Sequence, residues 1–557
     1  MADSNAKELC QRAEKLFSAR TSTLNLWQEI AENFYPERAD FTITRSSQYG
    51  FADHLFATDP VMMRRDLANA ISAMTRPSDR QWGKPQVEDD QLNEADGVRE
   101  YLDYLGKVQW RAMYDPKALF IRSTKEADHD LVTFGNAVMS SEPNMQEGRL
   151  LYRTWHIRDC AWADNSDGVV DLLYRKMKLH ARTAMQMFSQ PGDVLHESIK
   201  KACEKDPTQE FEFMHCMMPA KDYEYVSGNK PKVKMPFVSV YVDVMNKQVV
   251  RERPSYEFRY IVQRWQTIPG VAYAVSPATL TALPDARMMQ ALSRIIMEAG
   301  EKSVDPPMKA TEEAVKGQIN LYAGGTTWVD REYDEKMGPA IEPIPLGTNA
   351  GLGVNLFDRI QMIINNAFYL NKLALPQSQG KTAYETAQLV EESLRASAPL
   401  FEPMEANNAL ILDQTMTMLQ RVGAFGPPQI MPPALQGKTV TFSFSNPLHD
   451  AIERAKVMQF QGLAGLIQVG SQLDPTITAD VDARQAFRDA VEGSGAPAQW
   501  LREKKVADAA AAQQQKMQQM GQLAAAAHAG GQAAQSVGKG VQALTAPAPM
   551  PTTGVAA

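Results

Sequence analysis

A few short stretches hold residue types that could do chemistry. In "LALPQSQGKTAYE", Gly380-Lys381-Thr382 reads like the end of a phosphate-cradling loop. Such a loop needs a glycine five residues before its Gly-Lys-Thr, so that successive backbone N–H groups wrap the phosphates. Leu375 stands there, with Pro376 beside it. The second Gly-Lys-Thr, Gly437 to Thr439, has Pro432 at the corresponding position. Neither is a nucleotide site.

The other candidates also fail on spacing. "DNSDG", Asp164 to Gly168, would be a calcium loop only if Ala163 and Tyr174 supplied oxygen ligands at its two ends. A hairpin turn is the expected reading. His156 with Cys160, and His215 with Cys216, lack the second pairs that a tetrahedral zinc site requires. Glu88-Asp89-Asp90 is a run of contiguous acids in a polar stretch, the pattern of a solvated surface rather than of nuclease carboxylates. No catalytic constellation, metal site or cofactor site emerges, and the chain reads as a non-enzyme.

Composition narrows the class further. The chain has 557 residues and a net charge of −8. That balance argues against a dedicated nucleic-acid binder, which needs basic patches to displace counterions from phosphates. It leaves open a protein that nucleic acid slides past. Cys10, Cys160, Cys203 and Cys216 are scattered, as free thiols in a reducing compartment are. Met1 to Lys15 is charged and unlike a signal peptide, and no apolar stretch is long enough to cross a bilayer. A soluble protein made in the cytoplasm is expected.

The elements that must position any site follow from periodicity. Leu9, Leu16 and Phe17, then Leu24, Trp27, Ile30 and Phe34, recur at helical spacing. So do Val61, Leu67, Ile71 and Met74, in a run that Pro77 ends. From about Leu150 the period becomes two. "PFVSVYVDVMNKQVV" puts Val238, Val240, Val242 and Val244 on one face and turns at Asn246-Lys247. An antiparallel sheet with one wet face is expected.

Two helices of matched length come next. In Asp285 to Ser303, Met288, Leu292, Ile295 and Ala299 form an apolar stripe opposite Arg287, Arg294, Glu298 and Glu301. Pro284 and Asp285 suit its first turn. In Val354 to Leu373, Leu356, Ile360, Ile363, Ala367 and Leu370 form a seam. Asn355, Asp358, Gln361, Asn365 and Lys372 form a polar stripe on that helix, and a water-filled hole is the environment it fits. Between the helices lies a Gly- and Pro-rich insertion. After them, Gln377, Ser378, Gln379, Gly380 and Lys381 make a short polar loop. Thr382 and Glu385 have the spacing of a capping box, each side chain satisfying one orphan N–H. The helix they open meets Pro399 and Pro403 and should kink.

Five ordered fragments now carry a resemblance: "DHDLVTFGNAVM", "DGVVDLLYRKMKLHARTAMQMF", "RWQTIPGVAYAVSPATLTALPDARMMQALSRIIMEAGEKSVDPP", "KTAYETAQLVEE" and "LQRVGAFGPP". In this order the chain resembles the head-to-tail connector, or portal, proteins of short-tailed (podovirus-type) bacteriophages. It departs from that family's usual pattern at Ala274 and Ser276, where relatives have glycine, and at Leu389, where they have arginine.

The resemblance implies an α+β portal fold assembled as a ring. Residues 1–284 would be an α/β wing and 285–303 a stem helix; 304–353 would be a small α/β clip and 354–373 a second stem helix. A DNA-tunnel loop would span 374–381 and a long kinked helix 382–424. Residues 425–448 would return a strand to the wing, 449–496 would form a helical crown, and the Ala/Gln-rich 497–557 a helical barrel or a disordered tail. It further implies a homo-oligomer of twelve subunits at the portal vertex of the virion, through which double-stranded DNA passes without sequence-specific contacts. The implied partners are terminase, tail adaptor and tail proteins, and major capsid and scaffolding proteins, with no membrane and no cofactor. The alternatives are another ring-forming virion adaptor or a DNA-packaging enzyme subunit.

Overall fold

In a first unit, Met1–Ala451, the computed structural model describes residues 2–43, 55–93, 95, 97–144, 148–227, 235–311, 315, 318–319, 327–330, 336, 339, 341–344, 350–373, 383–427 and 431–444. In a second, Ile452–Ala557, it describes 457, 460–468, 482, 486–488, 490–491, 510, 512–514, 516–517 and 519–520. Apart from Asp482, the described part of the second unit is helical, and Phe460 meets Phe487 edge-on at 5.9 Å.

The first unit mixes α and β. It opens with α1 (Ala2–Ala19), α2 (Thr21–Phe34) and α3 (Asp59–Thr75). Then come β1 (Gly83–Val87), α4 (Asp90–Asn93), α5 (Val98–Met113) and α6 (Phe120–Phe134). The sheet-rich stretch holds β2 (Asn136–Asn144), β3 (Arg149–Trp155), β4 (Cys160–Asp164), β5 (Val170–His180), α7 (Ala181–Met187) and α8 (Glu197–Lys205). It continues with β6 (Glu210–Pro219), α9 (Ala220–Ser227), β7 (Phe237–Asp243), β8 (Gln248–Ser255), β9 (Tyr260–Arg264), β10 (Gln266–Ile268) and β11 (Val271–Val275). After it run α10 (Leu283–Val304), β12 (Met308–Ala310), β13 (Ile341–Pro343), α11 (Ala350–Ala367) and α12 (Leu370–Leu373). The unit closes with α13 (Ala383–Val422) and β14 (Val440–Phe444).

An antiparallel five-stranded sheet runs β4-β5-β6-β7-β8. Val238, Val240 and Val242 share one face, as their period requires, and that face is closed by Ala6, Leu9, Cys10 and Ala13 of α1. The opposite face carries Phe211, Phe213, Tyr241 and Val250 under Ala181, Ala184 and Ile199 of α7 and α8. The expected wet face is therefore wrong: helices cover both sides, and β6 and β7 are buried along most of their length. "DNSDG" is the β4–β5 hairpin turn, with the Asn165 side chain accepting from the Asp167 and Val169 N–H groups.

A three-stranded sheet, β3-β2-β9, lies within the largest core, which gathers Trp27, Phe34, Leu67, Phe134 and Phe368. Burying each such side chain stabilises the fold by about 1.5–3 kcal/mol. Strand β14 crosses some 350 residues of chain to pair with β1, in register from Gly83 opposite Phe444 to Val87 opposite Val440.

Three expectations about the helices need correction. Helical structure begins before Pro284, in a π-turn at Ala278–Ala282 that runs straight into α10. The second helix is not continuous from 354 to 373. It starts at Ala350, and Tyr369, with φ of 57°, breaks it into α11 and α12. The apolar stripe of α10 is also turned, and that of the second helix only partly holds. On α10 the buried residues are Leu283, Ala286, Met289 and Ser293, while Met288 and Ile295 are exposed. The seam of the second helix is split: Ile360 is buried and Ala367 and Leu370 pack on the core, while Leu356 and Ile363 are exposed; Ile364 and, just past α11, Phe368 are buried as well.

Candidate functional site

The helical pair α10–α11 is the element whose side chains are left to meet something else. β12 pairs antiparallel with β13, and Ile344 N–H donates to the Pro307 carbonyl at 2.9 Å, drawing the end of α10 toward the start of α11. Gly353 allows close approach, since a Cβ there would stand 3.2 Å from Ile296 Cγ1.

One end of the pair is fixed to the first unit's core. On α10, Gln290 accepts from the Phe56 and Ala57 N–H groups at 2.8 and 3.0 Å and donates to the Ala57 carbonyl at 2.8 Å. Arg287 pairs with Glu29 of α2 at 2.5 Å. Just past α11, Phe368 packs edge-on against Phe34 at 5.5 Å.

On its other sides the pair is open. Met288, Ile295, Met297 and Val304 on α10, and Val354, Leu356, Met362 and Ile363 on α11, are each more than two-fifths exposed. Seven residues apart, Met288 and Ile295 share one side of α10, and Leu356 and Ile363 share one side of α11, so each helix presents an apolar pair of the kind that marks an interaction surface.

The polar stripe of the second helix divides. Asn355 and Asp358 are exposed, and Asn365 is half-buried. Gln361 donates to Asp59 Oδ1 at 2.7 Å, so its amide is engaged at the first residue of α3. Lys372 sits on α12, exposed, with Nζ 5.3 Å from the Tyr369 ring. The stripe is thus not one continuous face of one helix. The loop residues Gln377, Ser378, Gln379, Gly380 and Lys381, the cap residue Thr382 and the side chain of Glu385 lie outside the described residues.

Later in the chain, α13 is held by polar side chains buried along its second half, which the sequence did not single out. Arg76 joins Asp128 in a buried ion pair and donates to Asn408 Oδ1 at 2.7 Å. Gln109 donates to the Leu412 carbonyl at 2.8 Å. Tyr152 and Thr415 share a hydroxyl bond of 2.7 Å. Ser141 donates to Gln414 Oε1 at 3.0 Å, and Gln414 Nε2 donates to the Phe258 carbonyl at 2.6 Å. These bonds tie α13 to α3, α5, α6, β2 and β3, and to the segment before β9. The one sequence cue is the cluster of amides and hydroxyls at Asn407, Asn408, Gln414 and Thr415 in the second half of this helix.

Other titratable residues that looked like ligands are structural. His156 Nε2 meets Asp40 Oδ1 at 2.6 Å, and its Nδ1 accepts from Arg158 N–H at 3.1 Å. Burial pushes the Cys160 thiol up to about 12. His215 lies between Tyr260 and Ser239, stacked on Tyr241, and burial among arginines drives its pKa well below the usual value. Among the described residues no group of three His, Cys, Asp or Glu is placed to hold a metal ion, and no helix is long and apolar enough to cross a membrane.

The sequence profile of the bacteriophage head to tail connecting protein family matches residues 6–501, nearly the whole chain. The chain belongs to that family, which places it among the structural proteins of the virion rather than the enzymes. No curated protein matches. Among solved structures, "Virion of native gene transfer agent (GTA) particle" aligns over 74% of this chain and 88% of that chain, with 9% identity and a TM-score of 0.37.

Proposed function

We propose that the chain is a portal subunit of a short-tailed phage, assembling as a ring, twelve-fold as in the proteins it resembles, at one capsid vertex. The observation that carries this reading is the outward apolar face of α10 and α11. Met288, Ile295, Leu356 and Ile363 have helical spacing suited to a core, yet their own chain leaves them exposed. Neighbouring copies set side by side around an axis would cover them, and connecting a head to a tail requires an assembly with an axis.

In such a ring, residues that present neither apolar surface nor dense charge would line the hole. Asn355, Asp358 and Asn365 meet that description. Gln377 to Lys381 would extend the lining at the tunnel loop. A protomer charge of −8 disfavours lasting capture of a polyanion, so double-stranded DNA would pass rather than bind. Trp328, 73% exposed in the segment between α10 and α11, offers an aromatic anchor at the clip, where terminase during packaging and a tail adaptor afterwards would dock.

The test is assembly. Ile295→Arg or Ile363→Arg should leave the protomer folded and shift it from ring to monomer in sedimentation velocity. Assembly unchanged in both variants would refute this use of the face.

A further inference from the structure

The junction between the sheet-rich part and α10 contains one residue too many for an α-helix. Ser276 Oγ accepts from the Thr279 N–H at 3.2 Å, and the Leu280 N–H donates to the Ser276 carbonyl at 3.0 Å, so the first turn has ordinary four-residue spacing. The Leu283 N–H then reaches back five residues, to the Ala278 carbonyl. Pro284 supplies the reason. It has no N–H to offer the Leu280 carbonyl, and in a regular helix its ring would collide with that carbonyl. A wider turn takes up one residue, so all of α10 is set back by about 100° from an uninterrupted α-helix.

Both flanks are clamped. Upstream, Asn136 donates to the Ala274 carbonyl at 2.8 Å and accepts from the Ala274 N–H at 2.9 Å. Ser276 Oγ also donates to the Thr133 carbonyl at 2.7 Å. Downstream, Gln290 grips Phe56 and Ala57. The π-turn is the place where the two clamps are reconciled.

The set-back decides which side chains face inward. Ala286, Met289 and Ser293 are buried, while Met288 is 54% and Ile295 59% exposed. Were the same residues wound as an unbroken α-helix, Met288, Leu292 and Ile295 would step into the places of Met289, Ser293 and Ile296. Those three are the residues whose spacing makes a core stripe in the sequence.

We propose that the π-turn Ala278–Ala282, kept open by Pro284, sets the rotational phase of α10 and holds Met288 and Ile295 outward for a second copy of this chain. The second copy rests on the ring reading; the phase does not.

The test uses full-length protomers with single reporters, Met288→Cys or Met289→Cys, in a Cys203→Ser background, because the other three cysteines are buried. A maleimide should label position 288 at least about tenfold faster than 289, the protection expected of a closed site. Inserting one alanine after Ala282 should reverse that order. Deleting Thr281 together with Pro284→Ala should convert the π-turn to an α-turn and keep the original order, because everything downstream stays in phase. The proposal is overturned if the insertion keeps the original order, or if the deletion reverses it, equalises the rates or unfolds the chain. Should the insertion variant not fold, the deletion variant decides alone. Ring formation should follow the labelling order. A chain that labels as expected but never assembles would remove the second copy and leave the phase intact.

Discussion

Gln290 of α10 and Ala57, 233 residues earlier, grip one another through both polar atoms of the glutamine amide, Oε1 taking the Ala57 N–H and Nε2 giving to its carbonyl. Phe56 adds a third bond to the same oxygen. This is how a long helix with an unburied outer face is anchored to the unit's core. Gln290→Ala leaves two backbone N–H groups and one carbonyl without these partners, and should cost about 1–2 kcal/mol in urea unfolding. Hydrogen exchange at Phe56 and Ala57 should speed up while the sheet amides stay protected. Equal exchange in variant and parent would show that water substitutes for the clamp.

The Arg76–Asp128 pair ties α6 and the end of α3 to α13 through Asn408. Arg76 and Asp128 are both buried, so Arg76→Met would strand a carboxylate in the core. The expected loss is about 3–5 kcal/mol. The double variant Arg76→Met with Asp128→Leu should recover much of it, because removing both charges removes the stranded one. Additive losses in the double-mutant cycle would contradict a direct pairing.

Gly135 ends α6 with φ of 75°, and a Cβ there would lie 2.5 Å from the Val275 carbonyl carbon. Neither the backbone conformation nor the space admits alanine. Gly135→Ala should destabilise by about 1–3 kcal/mol from the conformation alone, with the contact adding to it. Because the pressed backbone belongs to the junction before α10, the damage should also appear as faster exchange in β11. A melting temperature equal to the parent's would rule out this packing.

Acid should weaken the fold through His129. Burial, reinforced by the Arg64 guanidinium 2.8 Å from Nδ1, lowers its pKa to about 4. As pH falls, the unfolded chain takes up this proton first, so the stability contribution is complete above about 6.5 and is lost between there and about 4. With a discount for partial exposure, the swing is about 1–3 kcal/mol. His215 acts in the same direction. In urea titrations at pH 7.5 and 4.5, His129→Gln should narrow the difference between the two midpoints. An unchanged difference would remove His129 from the acid response.

Much of the fold was legible where one period met one burying partner. Val238, Val240 and Val242 alternate, and the face they make is covered by a helix of the same chain. The proline-bounded helices α2 and α3 were equally plain. The outward turn of α10 was not legible, because an apolar stripe shows that something covers it without showing whose surface does. The set-back at Pro284 came from a backbone collision that no side-chain period records. The break at Tyr369 was hidden because a tyrosine with positive φ carries no turn signal. The second cover on the five-stranded sheet was missed because the alternation of Val238, Val240 and Val242 with Ser239 and Tyr241 reads as one apolar and one wet face, whereas Ser239 and Tyr241 are buried too. Of the candidate site, the type of helix and its polar residues were readable. The engagement of Gln361 with Asp59 was not, since it joins residues 302 apart.

The account stands or falls on whether α10 and α11 face other copies of the chain around an open axis. Cryo-electron microscopy of the purified full-length protein, viewed down that axis, tests it most directly. Closed rings should appear, with Met288 and Ile295 covered by a neighbour and Gln377 to Lys381 at the rim of a central hole. Isolated monomers at every concentration, or rings whose contacts leave α10 and α11 in solvent, would contradict it.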